Sequence, residues 1–391
     1  MRGMLWLLAV PLLGAEMPEI PGPKWLRFGV EHRMRWEGFT APRFAEEPDY
    51  HLLNRYRFNT TILPASFLKF HFQVQDARLY WKNAQTNGDA FKDGFDLRLA
   101  SLTLGHAEKG RVWVTIGRQE LNFGDQRLVG SANWGAAGRS FDAVKVDFRL
   151  ANVHAEAFSA AVVRVHPSLQ NHHTDGDNLH GLYLHLDRLA PGAKVEPYVF
   201  WRVNGRVQLN QRTYGVRWLG TLPRNWSYNT EFVTQDRSEG ALHLQAGRRI
   251  GKRYFSGELN LASPDFQLIY PTPHYKYGLT DQVGWKNIRH IRVGTDWTLT
   301  PRLTVEIYHN AWWLENPQLG LFNAQGNRIV AGGLWKNRFV GHELDVDVAY
   351  NLNKKTQFRA GIGRLFPGSF LREATPGKAF TFPYISLVYG F

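Results

Sequence analysis

Leu26-Arg27-Phe28-Gly29-Val30-Glu31-His32-Arg33-Met34-Arg35-Trp36 decides the fold class. Leu26, Phe28, Val30, Met34 and Trp36 fall on one face of a chain with period two. Arg27, Glu31, Arg33 and Arg35 fall on the other. The same alternation sets Tyr56, Phe58 and Ile62 against Arg55, Arg57, Asn59 and Thr61, and Leu68, Phe70, Phe72 and Val74 against Lys69, His71, Gln73 and Gln75. A strand with one greasy and one charged face needs two different solvents. The pattern persists to the C-terminus, so it describes the whole chain.

Turn residues punctuate the strands. Tight breaks fall at Leu63–Ser66, Gly105–Gly110, Leu150–Asn152, Leu189–Gly192, Leu222–Asn225, Gly251–Arg253, Thr300–Arg302 and Leu352–Lys355. Between them run longer irregular segments: Gly38–Tyr50, Asn122–Arg139, Pro264–Lys286, Asn316–Arg338 and Pro367–Ala379. Short and long connections alternate, the asymmetry of an antiparallel transmembrane β-barrel with tight periplasmic turns and long extracellular loops. Eight turns join sixteen strands, and one more at each end makes about 18, an even number wide enough for a water-filled lumen. Trp36, Tyr56, Trp113, Trp201, Trp218, Trp226, Trp297 and Tyr350 recur near strand ends, as girdle aromatics do. A soluble sandwich or propeller gives no reason for such an outward face.

The N-terminus supplies an export signal: Met1-Arg2-Gly3 is basic, Met4 to Leu13 is apolar, and Gly14-Ala15 is small. Cleavage is placed after Ala15, leaving residues 16–391 as one barrel domain. That apolar run is too short to span a bilayer, and no later run approaches the roughly 20 residues a transmembrane helix needs. The net charge of +13 is scattered along the chain, which excludes a nucleic-acid patch. There is no cysteine, hence no disulfide or thiolate site. The chain ends Tyr384-Ile385-Ser386-Leu387-Val388-Tyr389-Gly390-Phe391, which resembles the closing-strand signal read by the barrel assembly machinery. The expected setting is the outer membrane of a Gram-negative-type bacterium, among lipid and lipopolysaccharide, as a monomer.

Arg57–Thr61, Gln75–Arg78, Gly117–Gly124, Arg139–Val144, Gly341–Asp345 and Phe366–Leu371 resemble the alginate export family of outer-membrane barrels, Gly117-Arg118-Gln119-Glu120-Leu121-Asn122-Phe123-Gly124 most specifically. The resemblance covers nearly all of the mature chain. It implies an 18-stranded barrel with an arginine-rich pore, in a family named for a channel that secretes an anionic polysaccharide.

Strand connectivity gathers Asp76, Arg78, Asp96, Arg98, Arg118, Glu120, Arg139 and Asp142 at the outer ends of neighbouring strands. Asp76, Asp96, Glu120 and Asp142 are the expected salt-bridge partners of a charged rim, and Arg78, Arg98, Arg118 and Arg139 its cations. Arg118, Arg98, Asp76 and Arg78 share parity with lipid-facing neighbours, so they turn inward only through a bulge or a strand end. Consistent lumen parity belongs to Arg27, Arg33, Arg35, Arg55, Arg57, Lys69, Lys145, Arg202, Arg217, Arg249, Arg292 and Arg359, opposed by Asp296, Glu306, Glu343, Asp345 and Asp347 on later strands. A basic wall facing a more acidic one sets a transverse field, and arginine rings favour anions. The glycine-rich loop Asn122–Arg139 is either a pore-narrowing segment or a plain surface loop. His172, His173, His180 and His185 match no metal spacing, and no nucleophile motif occurs, so neither metal, cofactor nor catalysis is expected. The reading is selective passage of an anionic solute, a uronate oligosaccharide, polysaccharide or other carboxylate. A pore for neutral or hydrophobic solutes and a barrel enzyme are the alternatives.

Overall fold

The computed structural model describes residues 22–391 apart from 46, 82–90, 108–109, 167–168, 188, 190–191 and 237–238. The N-terminal signal segment and parts of the turns at 105–110 and 189–192 lie outside the described residues. The strands run β1 (Leu26–Phe39), β2 (Asp49–Ala65), β3 (Leu68–Tyr80), β4 (Asp93–Gly105), β5 (Val112–Gln119), β6 (Phe141–Leu150), β7 (Val153–Arg164), β8 (His172–Asp187), β9 (Ala193–Asn204) and β10 (Leu209–Leu222). They continue as β11 (Trp226–Gln235), β12 (Gly240–Ile250), β13 (Arg253–Ala262), β14 (Ile288–Thr300), β15 (Leu303–Leu314), β16 (Leu321–Phe322), β17 (Arg328–Val330), β18 (Phe339–Asn351), β19 (Thr356–Pro367) and β20 (Phe380–Gly390). A short α-helix, α1 (Ser369–Ala374), lies between β19 and β20.

Each barrel strand pairs antiparallel with the next, β15 passes to β18 across the small β16–β17 hairpin, and β20 returns to β1 with Arg33 opposite Val388. The ring therefore closes on 18 strands and leaves no edge. All eight tight turns read from the sequence join neighbouring strands at one end, and the long segments join them at the other.

Burial explains the alternation. Along β2, Arg55 and Arg57 are 1% and 5% exposed while Tyr56 and Phe58 between them are 46% and 44% exposed. That inverts the rule for a water-soluble protein. Charged side chains are turned into the lumen and the aromatic and aliphatic ones toward lipid. Ile385, Leu387 and Tyr389 of β20 continue the outward band. Trp113 departs from it: its ring turns into the lumen and stacks on His154, at 5.5 Å between centroids.

The wall has one consequential irregularity. Gln73 pairs with Leu99 and Val74 with Leu97, so Arg98 is an extra residue on β4. This β-bulge lets Asp96, Arg98 and Leu99 all sit inward while Leu97 and Leu104 stay outward.

Candidate pore constriction

The segment joining β5 to β6 has no strand partner in the wall, so its carbonyls need donors from elsewhere. It folds into the lumen, and the basic wall supplies them. Arg33 donates to the carbonyls of Asn133 (2.8 Å), Trp134 (3.1 Å) and Gly135 (3.0 Å). Arg35 donates to that of Trp134 (2.8 Å) and lies 3.7 Å over the Trp134 ring. Arg55 reaches the carbonyls of Asn133 and Gly135, Arg57 the Asn133 amide oxygen, and Arg98 both that oxygen and the Ala137 carbonyl. Five planar forks from β1, β2 and β4 thus grip residues 133–137. Gly138 permits the approach: a Cβ there would lie 2.8 Å from Arg98 and from Asn133, and its φ is +70°.

The other end of the segment is fixed across the lumen. Asp125 accepts from Arg217 of β10 (2.5 Å) and Asn229 of β11 (2.6 Å). Arg127 reaches Tyr277 and His243, with Glu231 and Glu258 at 4.0 and 3.9 Å. Phe123 stacks on Phe158 and Tyr183. A second infolded segment, between β13 and β14, completes the constriction. Val129 bridges Tyr270 in parallel, Arg139 donates to the Tyr270 (2.7 Å) and Pro271 (2.9 Å) carbonyls, and Trp134 stacks on His274 at 3.6 Å. Leu279 and Thr280 anchor it to Asp345 and Glu343 of β18.

The expected rim belt breaks into separate parts. Asp76 and Arg78 do not join the pore: they pair with each other at 2.7 Å on the outer face, opposite Tyr56 and Asn54, and Arg78 is half exposed. The irregularity between Gln75 and Ala77 places its extra residue on β4, so β3 keeps its alternation there. Arg118 shares the face of Val114 and Ile116 and fills a seam where β4 runs on beyond its pairing with β5. It donates to Asp142 (2.8 Å) and to the Leu97 and Asn171 carbonyls. Asp142 therefore holds the wall together and is not a lumen partner. Asp96 faces inward but makes no ion pair among the described residues; it accepts from the Asn171 backbone (2.6 Å). Only Glu120 meets the expectation of a rim carboxylate on an inward arginine, 2.5 Å from Arg98. Burial raises its carboxyl, and the guanidiniums of Arg98 and Arg57, with the Asn133 amide, outweigh that and hold Glu120 down at about 2.

Elsewhere on the wall, Arg217 pairs with Glu196 (2.9 Å), Arg292 with Glu258 (3.2 Å) while lying over Tyr308, and Arg359 with Asp347 (2.6 Å). Lys69 lies opposite Thr103 near the periplasmic end and stays exposed. Three features escape sequence reasoning: the hub role of Asn133, the infolding of residues 264–286, and the lumen cluster of His154, Glu156 and His185. The density of rings in the second segment (Phe266, Tyr270, His274, Tyr275, Tyr277, Trp285) is the signal that an outer loop was destined for burial.

A family model described as alginate export matches residues 24–382. No curated protein matches the chain by direct sequence comparison. Among solved structures, OccK5 (OpdH) of Pseudomonas aeruginosa superposes with a TM-score of 0.65 at 9% identity, over 94% of this chain and 98% of that one. OccAB2 of Acinetobacter baumannii gives 0.65 at 11% identity, over 93% and 98%. OpdK of Pseudomonas aeruginosa, solved with vanillate, gives 0.62 at 13%, over 93% and 98%. At these identities the likeness is one of fold.

Proposed function

The chain belongs to the alginate export family, and from that premise we propose that this outer-membrane barrel is a channel for passive, selective passage of an anionic solute, a uronate oligosaccharide or other carboxylate. The observation that carries the anion preference is the charge balance of the clamp. Arg33, Arg35, Arg55, Arg57 and Arg98 face the carboxylates Glu31, Glu37 and Glu120, buried Asp93 is joined to Arg57 through Gln75, and among the described residues Arg33 and Arg57 donate only to carbonyl and amide oxygens. Carbonyl dipoles orient a guanidinium without cancelling its charge, so Arg33 and Arg57, which pair directly with no carboxylate among the described residues, stay positive beside the constriction. These groups act through their field: a unit charge about 8 Å from a permeating ion at an effective dielectric of about 20 is worth about 2 kcal/mol.

The test separates charge from clamp. In planar bilayers under a salt gradient, Arg33→Gln with Arg57→Gln should move the reversal potential toward cation preference. Arg33→Lys with Arg57→Lys keeps the charge, loses the forks, and should leave the potential near the parent's. Arg78→Gln, on the outer face, is the control. Equal shifts in the Gln and Lys pairs, or none in either, would remove the electrostatic basis, and a non-selective parent would favour the neutral-solute reading. The same proposal includes export by residues 1–15, checked by the mass of the mature N-terminus.

A further inference from the structure

We propose that the periplasmic mouth of the lumen carries a divalent transition-metal site built from His154, Glu156 and His185. His154 is the second residue of β7, just after the tight turn from β6, and it pairs with His185, the third residue from the end of β8. Glu156 follows two positions along, on the same inward face. Their ligand atoms all lie within 4.8 Å of one another. His185 Nε2 is 3.0 Å from Glu156 Oε1, and the two imidazoles stack at 5.1 Å between centroids. Two nitrogens and an oxygen at about 2.0–2.2 Å from one ion are the donor set of a zinc-type site with an open fourth position.

The surroundings are those of an oriented ligand set. Glu196 accepts from His185 Nδ1 at 3.2 Å, which leaves Nε2 as the nitrogen facing the cluster. That is the carboxylate–histidine arrangement that orients a metal-bound imidazole. Asp147 lies 3.1 Å from His154 Nε2 and holds that ring from outside the cluster. Trp113 packs on the far face of His154 and restricts its ring.

One cation already competes. Lys145 Nζ lies 2.5 Å from Glu156 and 3.3 Å from Asp147, so an entering ion displaces the ammonium. The site is separate from the arginine clamp, but it is linked to the constriction: Glu196 also accepts from Arg217, which holds Asp125 of the infolded segment.

The experiment is calorimetric titration of the purified, tag-free barrel with zinc chloride, with heat-modifiable migration on gels confirming that each variant is folded. The parent should show one saturable site. His154→Ala with His185→Ala should abolish it. Glu156→Gln, the milder variant, should weaken it by at least the ~10-fold that loss of an outer-shell partner costs. Lys145→Met should tighten binding by about 10-fold or more, because it removes a like charge beside the ion. No saturable binding in either the parent or Lys145→Met, undiminished binding in the histidine variant, or weaker binding in Lys145→Met would each overturn the assignment.

Discussion

Asn133 is the residue through which most of the loop clamp passes, and replacing it tests whether the constriction is held as described. Its backbone carbonyl accepts from Arg33 and Arg55, and its amide oxygen from Arg57 (3.0 Å) and Arg98 (3.1 Å). Its amide nitrogen donates to Glu120 (2.9 Å) and Ser131 (3.0 Å). Asn133→Ala keeps the backbone contacts and removes the four side-chain bonds, three of them to charged groups. Bonds to charged groups contribute about 1.5–3 kcal/mol each, but every charged partner here retains another ligand, so about 1 kcal/mol per charged bond is the fair figure. Roughly 3 kcal/mol then shifts the opening equilibrium of the docked segment by about 100-fold. Hydrogen exchange reads this directly. The amides of Gly130 (to Tyr270) and Tyr270 (to Leu128) join the two segments, and that of Arg139 (to Ser131) closes the first segment on itself in its docked form. They should exchange about 100-fold faster in the variant, with wall amides of β11 and β12 unchanged. A change below about 3-fold, or the same acceleration in the wall, would refute a local clamp centred on Asn133.

Gly138→Ala places a methyl among Arg98, Arg57 and Asn133 at a positive φ. It should undock the segment while leaving the barrel folded, seen as faster exchange at Arg139 and noisier single-channel current. Acidification acts through Glu120. Its carboxyl is depressed, so its contribution is complete above the unfolded value near 4.5 and is lost as pH falls toward about 2. Exchange of the Arg139 amide, corrected for intrinsic pH dependence, should be flat from about pH 7 to 5 and rise below about 4.5; a rise centred near neutrality would assign the linkage to another group. Deleting Phe391 removes the two backbone bonds it makes with Val30 at the closing seam, 2.6 and 3.0 Å. The folded, heat-modifiable form should fall while export persists, and unchanged insertion would count against an assembly role for this residue.

The barrel was legible in the sequence because its wall is a local, periodic object. Each strand separates lipid from lumen, so the alternation is written at every second residue, and Arg55-Tyr56-Arg57-Phe58 carries it as plainly as any four residues can. Parity reasoning stops where the period breaks. It assigned Arg98, Arg118, Asp76 and Arg78 the same doubtful register, and they divide three ways. Arg98 is turned inward by a bulge, Arg118 is captured in a seam between β4 and β6, and Asp76 and Arg78 remain outside. A bulge is a relation between two strands, set by Gln73 and Val74 opposite it, and one strand's own pattern does not contain it.

What fills the lumen lies further from the sequence still, and it changes what the arginines mean. Lumen parity says that Arg33, Arg35, Arg55 and Arg57 point inward, and it invites the inference that they meet passing solute. In the fold they are 1–5% exposed, because a segment nearly a hundred residues away presents its carbonyls to them. On the proposed reading the same groups do two jobs with different physics. The forks satisfy unpaired backbone and fix the width of the pore, a short-range, directional effect that lysine would lose. On the same reading the charges of Arg33 and Arg57 bias which ion approaches, a long-range effect that lysine would keep, provided the pore retained its shape. A channel whose selectivity residues also hold its constriction couples the two properties. A substitution that neutralises Arg33 or Arg57 is therefore expected to change conductance and selectivity together, whereas Asn133→Ala loosens the segment with all five positive charges in place. Comparing those two variants assigns each effect to its cause.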